Sequence, residues 1–183
     1  MMISYIALLR GINVGGHKKI PMADLRELLA NLGLKNVQTY IQSGNVVFKS
    51  TEKNAQKLEK VIYNAIRSHF GFEVPVLIKT TQDIQRIFKA CPFSEEEKKA
   101  SYFMMLSDTP DQDLIKKASE KVYEGEVYKI INDCIYLYCD KGYGRAKFNM
   151  NFFERQLKTT GTARNYNTML KLIAMSSENE INQ

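Results

Sequence analysis

The chain has 183 residues, 44% hydrophobic and 25% charged, with a formal net charge of +6. This suits one domain or two small halves, and the balance is that of a globular protein rather than a disordered or fibrous one. The positive charge favours anionic partners, but there is no long Lys/Arg block, and the first apolar run stops at Arg10, too short for a signal peptide or a membrane span.

Ile3 to Leu9 is a near-continuous apolar run, which predicts a central strand buried on both faces. A glycine-rich loop follows, and Pro21 opens a helix with Met22, Leu25, Leu29 and Leu32 at helical spacing, stopped by Gly33. Val37 to Gln42 and Asn45 to Lys49 read as a hairpin through Ser43-Gly44. Asn54 caps a long helix whose predicted buried stripe is Leu58, Val61, Ile62, Ala65, Ile66 and His69, ended by Gly71. Val74 to Lys79 is the next strand, so the order is β-α-β-β-α-β.

The second half repeats this order without clear sequence identity. Thr81 is the expected cap of a connecting helix carrying Ile84, Ile87 and Phe88. The stretch Ser94 to Lys99 reads as a solvated charged turn between the halves. Tyr102 to Leu106 is a strand, Asp111 opens a helix, and Val127 to Ile131 pairs with Cys134 to Tyr138 around Asn132-Asp133. A helix with Phe152, Phe153 and Leu157 follows; after Gly161 comes another with Tyr166, Met169, Leu170 and Ile173 on one face. The expected fold is α+β: two ferredoxin-like β-α-β-β-α(-β) halves packed as one unit, with mainly antiparallel sheets. The first half is residues 1–80, the second 81–175, and 176–183 is read as a loose polar tail.

Four segments have the chemistry of a binding site. Residues 10–19 read RGINVGGHKK: glycines free the backbone to turn, and Arg10, His17, Lys18 and Lys19 add charge or donors ahead of a helix. This is neither a Walker A loop nor a dinucleotide fingerprint. In the expected topology the turn Gln42-Ser43-Gly44-Asn45 emerges at the same sheet end. Residues 141–147 read KGYGRAK, and residues 161–168 read GTARNYNT ahead of a helix. The ligand-binding set is therefore Arg10, Asn13, Gly15, Gly16, Lys18, Gln42, Ser43, Asn45, Arg145, Lys147, Arg164 and Asn165. Each segment also serves as an ordinary turn, crossover or helix cap.

Catalytic and metal signatures are weak. Cys91, Cys134 and Cys139 form no CxxC pair or Cys/His cluster and read as free thiols of a reducing, cytoplasmic compartment, with no disulfide, metal or cofactor expected. His17 and His69 are the two histidines, and Ser43 lies in no nucleophile elbow.

The blocks YIALLRGINVGG from Tyr5, PMADLRELL from Pro21, TYIQSGNVVF from Thr39, GYGRAKF from Gly142 and TARNYNTMLKL from Thr162 run across nearly the whole chain. In this order they resemble the signature blocks of the uncharacterised family called domain of unknown function 1697. The resemblance implies a bacterial-type α/β domain and supplies no catalytic residue. One departure is that polar Asn149 and Asn151 flank Met150, where the family pattern runs into Leu.

Three functions fit these residues. The first is binding of an anionic small molecule, or of nucleic acid, in a glycine-rich basic cleft. The second is an enzyme on a phosphorylated or nucleotide-like substrate held in the same cradle. The third is a protein–protein assembly module using a strand edge or the last helix. No membrane association is expected, and the sequence sets no oligomeric state.

Overall fold

The structure, a computed structural model, describes residues 1–139 and 142–181. Its elements are β1 (Ile3–Leu9), α1 (Met22–Asn31), β2 (Lys35–Tyr40), β3 (Asn45–Ser50), α2 (Ala55–Phe70), β4 (Val76–Thr80), α3 (Thr81–Lys89), α4 (Glu95–Lys99), β5 (Ser101–Leu106), α5 (Gln112–Ala118), β6 (Glu126–Ile131), β7 (Cys134–Cys139), α6 (Met150–Leu157), β8 (Gly161–Asn165) and α7 (Tyr166–Ile181). The strands form two four-stranded sheets, ordered β2-β3-β1-β4 and β6-β7-β5-β8, and every pairing is antiparallel. This is the expected α+β class, and both strand orders are consistent with the ferredoxin-like pattern. No helix among the described residues is long and apolar enough to cross a membrane.

The chain divides into two compact units: Met1–Ile84 together with the chain from Lys171, and Gln85–Leu170. In the first, Tyr5, Ala7 and Leu9 of β1 and Val46 and Phe48 of β3 face Leu25 and Leu29 of α1 and Leu58, Ile62 and Ile66 of α2. The period of two on the strands meets the 3.6 period of the helices, so each element presents one apolar side to a shared core. Ser4, Ile6 and Leu8 alternate to the other face of β1 and are buried as well. There Ser4 Oγ donates to the carbonyl of Ser176 on α7 at 3.3 Å. In the second unit, Met104, Leu106, Ile135 and Leu137 pack on Phe148, Phe153 and Leu157, with the rings of Phe148 and Phe153 stacked at 4.5 Å. The other face of that sheet carries α3: Phe88 stacks on Phe103 at 5.5 Å, and Tyr136 Oη donates to the Ile87 carbonyl at 2.8 Å. Burial pushes the Tyr136 phenol far above its ordinary pKa, so it remains a donor.

The repeat suspected from element order extends to individual hydrogen bonds. Leu9 N donates to Gly44 O at 2.8 Å, and Leu106 N donates to Asp133 O at 2.8 Å. Arg10 N donates to Pro75 O at 3.0 Å, and Ser107 N to Thr160 O at 2.8 Å. Thr80 closes β4 and its Oγ1 accepts from Asp83 N; Asn165 closes β8 and its Oδ1 accepts from Thr168 N. Each fourth strand thus runs directly into a helix capped by its own last side chain.

Several local expectations are corrected by these bonds. The cap of α3 is Thr80, not Thr81, whose hydroxyl is buried without a hydrogen-bond partner. Residues 161–165 are a strand, so the second half is a complete β-α-β-β-α-β. Ser94 to Lys99 is no simple turn. Ser94 and Glu97 form a reciprocal capping box for α4, and Lys98 is buried with its ammonium 4.1 Å from the Phe88 ring centre. Val61 and His69 are exposed on α2, leaving the narrower stripe Leu58, Ile62 and Ile66. On α7, Leu170 is exposed and Leu172 and Met175 are buried instead. That helix continues through much of the stretch read as a loose tail, with Ser176 and Asn179 buried. Asn149, the departure from the family pattern, is the N-cap of α6 and accepts from Phe152 N.

Arg86 on α3 reaches Asp133 in the β6–β7 turn in a forked arrangement, with Nη1 to Oδ1 at 2.9 Å and Nη2 to Oδ2 at 3.1 Å. Asp133 is buried and Arg86 is partly exposed, so solvent weakens the pair from one side only. Replacing Arg86 by Met is expected to lower stability by about 2 kcal/mol, read from urea unfolding. An unchanged midpoint would mean that water replaces the guanidinium without loss.

Candidate functional site

The C-terminal end of β1 is where the first unit gathers its polar loops. Strand β3 pairs antiparallel to β1 with Leu8 opposite Asn45, so the β2–β3 turn lies at the end where residues 10–20 begin. Strand β4 starts there too, with Val76 opposite Leu9. The expected meeting of glycine loop and hairpin turn is observed, and its agent is Asn13. That side chain donates from Nδ2 to Gln42 O at 2.9 Å and to Ile20 O at 3.0 Å, while Oδ1 accepts from Ile20 N at 2.8 Å. Asn13 has φ of 54°, a left-handed conformation that asparagine tolerates better than most residues.

Between Asn13 and Ile20 the loop is a miniature hairpin. Asn13 N donates to Lys18 O, and His17 N to Val14 O. Gly15 and Gly16 occupy the two central turn positions with φ of 58° and 78°, the signature of a type I′ turn. Ile12 and Ile20 are buried and anchor both ends, whereas residues 14–19 are exposed. The glycines therefore make a tight exposed tip instead of a wrapped phosphate cradle. Lys18 Nζ donates to Glu73 O at 2.7 Å, tying the tip to the segment ahead of β4.

The turn partner is equally constrained. Asn45 is fully buried and donates from Nδ2 to Tyr40 O at 3.2 Å and to Ser43 Oγ at 2.9 Å. Gly44 has φ of 80° and sits against Leu9. Gln42 and Ser43 are exposed, and Arg10 is half-buried. Of the set read from sequence, this edge brings together Arg10, Asn13, Gly15, Gly16, Lys18, Gln42, Ser43 and Asn45. Asn13 and Asn45 hold the loops, whereas Gln42, Ser43 and the cations face solvent or half-face it.

The remaining four belong to the second unit. Arg145 and Lys147 are exposed in the segment after β7; Lys141, the first residue of that motif, lies outside the described residues. Arg164 is buried on β8, with Nη1 donating to Thr162 Oγ1 at 3.0 Å and Ala163 O at 2.8 Å, and burial draws its pKa down to about 10. Asn165 is the α7 cap already described. These two therefore have structural duties at the end of the second sheet.

Sequence reading passed over two features. A cavity of about 640 Å³ in the second unit is lined by Asn149, Asn151, Arg155, Lys158 and Thr160 among others. Helical spacing scatters those residues along the chain, so no motif marks them. The second is Glu126, whose carboxylate accepts from Lys147 N and, at 2.9 Å, from Phe148 N, fixing the Arg145 segment. No group of three or more His, Cys, Asp or Glu among the described residues could hold a metal ion.

Residues 2–136 match the family model described as Protein of unknown function (DUF1697). Among solved structures, the chain is similar to the conserved bacterial protein SP0830 from Streptococcus pneumoniae. The two share 28% identity with a TM-score of 0.75, over 96% of this chain and 99% of the other. No functionally curated protein matches the chain.

Proposed function

This chain belongs to the DUF1697 family, and from that premise we propose that it binds an anionic ligand, a phosphorylated small molecule or a nucleic acid, at the end of the first sheet where β1 stops. The bond from Asn13 Nδ2 to Gln42 O carries the reading, because it fastens the cation-bearing loop to the hairpin turn as one surface. Neither residues 10–20 nor residues 41–45 contain an Asp or Glu, while Arg10, His17, Lys18 and Lys19 all lie in the first segment. Guanidinium and ammonium groups on the loop tied to the turn of exposed Gln42 and Ser43 would favour phosphate oxygens through charge-assisted hydrogen bonds. Each contact is open to solvent and screened by salt, so the ligand is one that engages several of these groups together.

The test is Arg10→Ala, with pyrophosphate and a short single-stranded oligonucleotide as probes. Affinity is expected to fall about tenfold for a half-exposed charge-assisted contact, with little change in thermal midpoint. For the oligonucleotide, raising salt from about 50 to 200 mM should weaken binding by orders of magnitude if several phosphates are held. A destabilised variant with unchanged affinity would refute the proposal and make Arg10 a structural residue.

A further inference from the structure

We propose that the open edge of the second sheet, strand β6, pairs antiparallel with β6 of a second copy of this chain. The inference is independent of the reading of the first sheet's edge. The two sheets have four edge strands, β2, β4, β6 and β8. Exposed edges invite pairing, and three of the four are guarded. The register of β2 slips between Lys35 and Gln38, with Asn36 at φ of 51°. On β4, Ile78 N donates to Glu59 Oε1 of α2 at 2.8 Å, so a carboxylate occupies that main-chain donor. On β8, Arg164 folds over its own strand, donating to Thr162 Oγ1 and the Ala163 carbonyl. β6 has none of these three devices. Its six residues pair with β7 without a register shift. Among the described residues, no side chain bonds to the main chain of Val127 to Ile131.

The hairpin fixes which groups face outward. Ile131 and Cys134 close the two-residue turn Asn132-Asp133. Bonded pairs alternate from there, so Ile131, Lys129 and Val127 bond to β7, and the main chain of Tyr128 and Ile130 points to the open edge. Glu126 N points the same way, and it donates to Tyr123 O at 3.3 Å. Two registers of a second β6 lie nearest the strand's centre. One sets Lys129 opposite the second copy's Lys129, a like-charge pair. The other puts Tyr128 on the two-fold axis and sets Val127 opposite the second copy's Lys129, whose aliphatic stem covers the valine. The second register is the one proposed. Antiparallel pairing also brings exposed Glu124, just ahead of one β6, toward the Lys129 half of the other, so the sign pattern complements itself. A cavity of about 320 Å³ lies along β6, and Val122 and Val127 in its wall are 83% and 48% exposed, apolar surface beside the seam of the two copies.

Sedimentation equilibrium of the full chain, from about 1 µM to 1 mM, tests this. One strand from each copy makes a small interface, so the dimer should dissociate in the micromolar range or above. Val127→Lys sets a cation against the second copy's Lys129 at two symmetry-related places and should weaken the dimer about tenfold or more. Val127→Glu puts opposite charges there and should keep or tighten the dimer, with added sensitivity to salt. Val127 is exposed, so both variants should keep the thermal midpoint of the unaltered chain at concentrations where it is monomeric. The decisive variant combines Val127→Lys with Lys129→Glu, which restores an opposite-charge pair in this register and should recover the dimer. A dimer lost through local unfolding would not recover. The proposal is overturned if the chain stays monomeric throughout, if Val127→Lys leaves the dimer unchanged, or if the double variant fails to recover it. It is equally overturned if this edge takes up an added extended peptide while the chain itself stays monomeric.

Discussion

Gly44→Ala is expected to destabilise the first unit by about 3 kcal/mol, and by up to about 5, from two additive causes. The residue has φ of 80°, a left-handed conformation that disfavours any Cβ by about 1–2 kcal/mol. A Cβ placed there would also lie 2.6 Å from Leu9 Cβ and 2.8 Å from Leu9 O. Neither neighbour yields easily: Leu9 N already donates to Gly44 O, and Leu9 is buried in the core. Overpacking of this kind adds about 1–3 kcal/mol. Gly16→Ala is the matched control, since its φ is 78° but nothing lies within 4 Å of the added methyl. That variant should lose about 1–2 kcal/mol. Urea unfolding of the two proteins compares them directly, and equal midpoints would show that β1 moves aside for the methyl.

Asn13→Ala is expected to lower stability by about 2 to 3 kcal/mol. It removes two donated bonds and one accepted bond and puts alanine at φ of 54°. Ile20 is buried, so its N–H loses a partner that water does not easily replace. The substitution also cuts the tie between loop and hairpin turn, so affinity for the oligonucleotide should fall even though Asn13 is not itself charged. Hydrogen exchange at Ile20 and a binding titration on the same sample check both expectations. Retained protection at Ile20 with reduced affinity would instead make Asn13 a direct ligand contact.

The two tests mark how far the sequence was legible. Alternating apolar runs and glycine or asparagine stops located most strands and helices, because period and punctuation follow from local geometry. The meeting of the two loops was also readable, since strand direction alone puts them at one sheet end. The role of Asn13 was not: it was grouped with ligand residues, and only the backbone path shows its amide closing a loop. The conformation of the glycine tip was not readable either, as two adjacent glycines serve a type I′ turn and an anion cradle equally well. β8 escaped because its burial falls on Thr162 and Arg164, residues no hydropathy pattern places inside. The α4 helix had a readable signal in Ser94 and Glu97, a capping box obscured by the run of charges that follows. Tyr102 and Tyr143 meet across a long sequence interval, and pairing of that kind is fixed by tertiary structure alone.

The helix that follows each fourth strand begins in one unit and ends in the other. For the first unit this sets a schedule as well as a shape. Its sheet is fully synthesised once Thr80 has been added, but the segment of α7 that bonds Ser4 comes from residues beyond Lys171. Until those residues emerge, Ser4 on this buried face of β1 lacks its bond to the Ser176 carbonyl. The first unit therefore gains its last segment only after the whole of the second has been synthesised, which orders the two along the time course of translation.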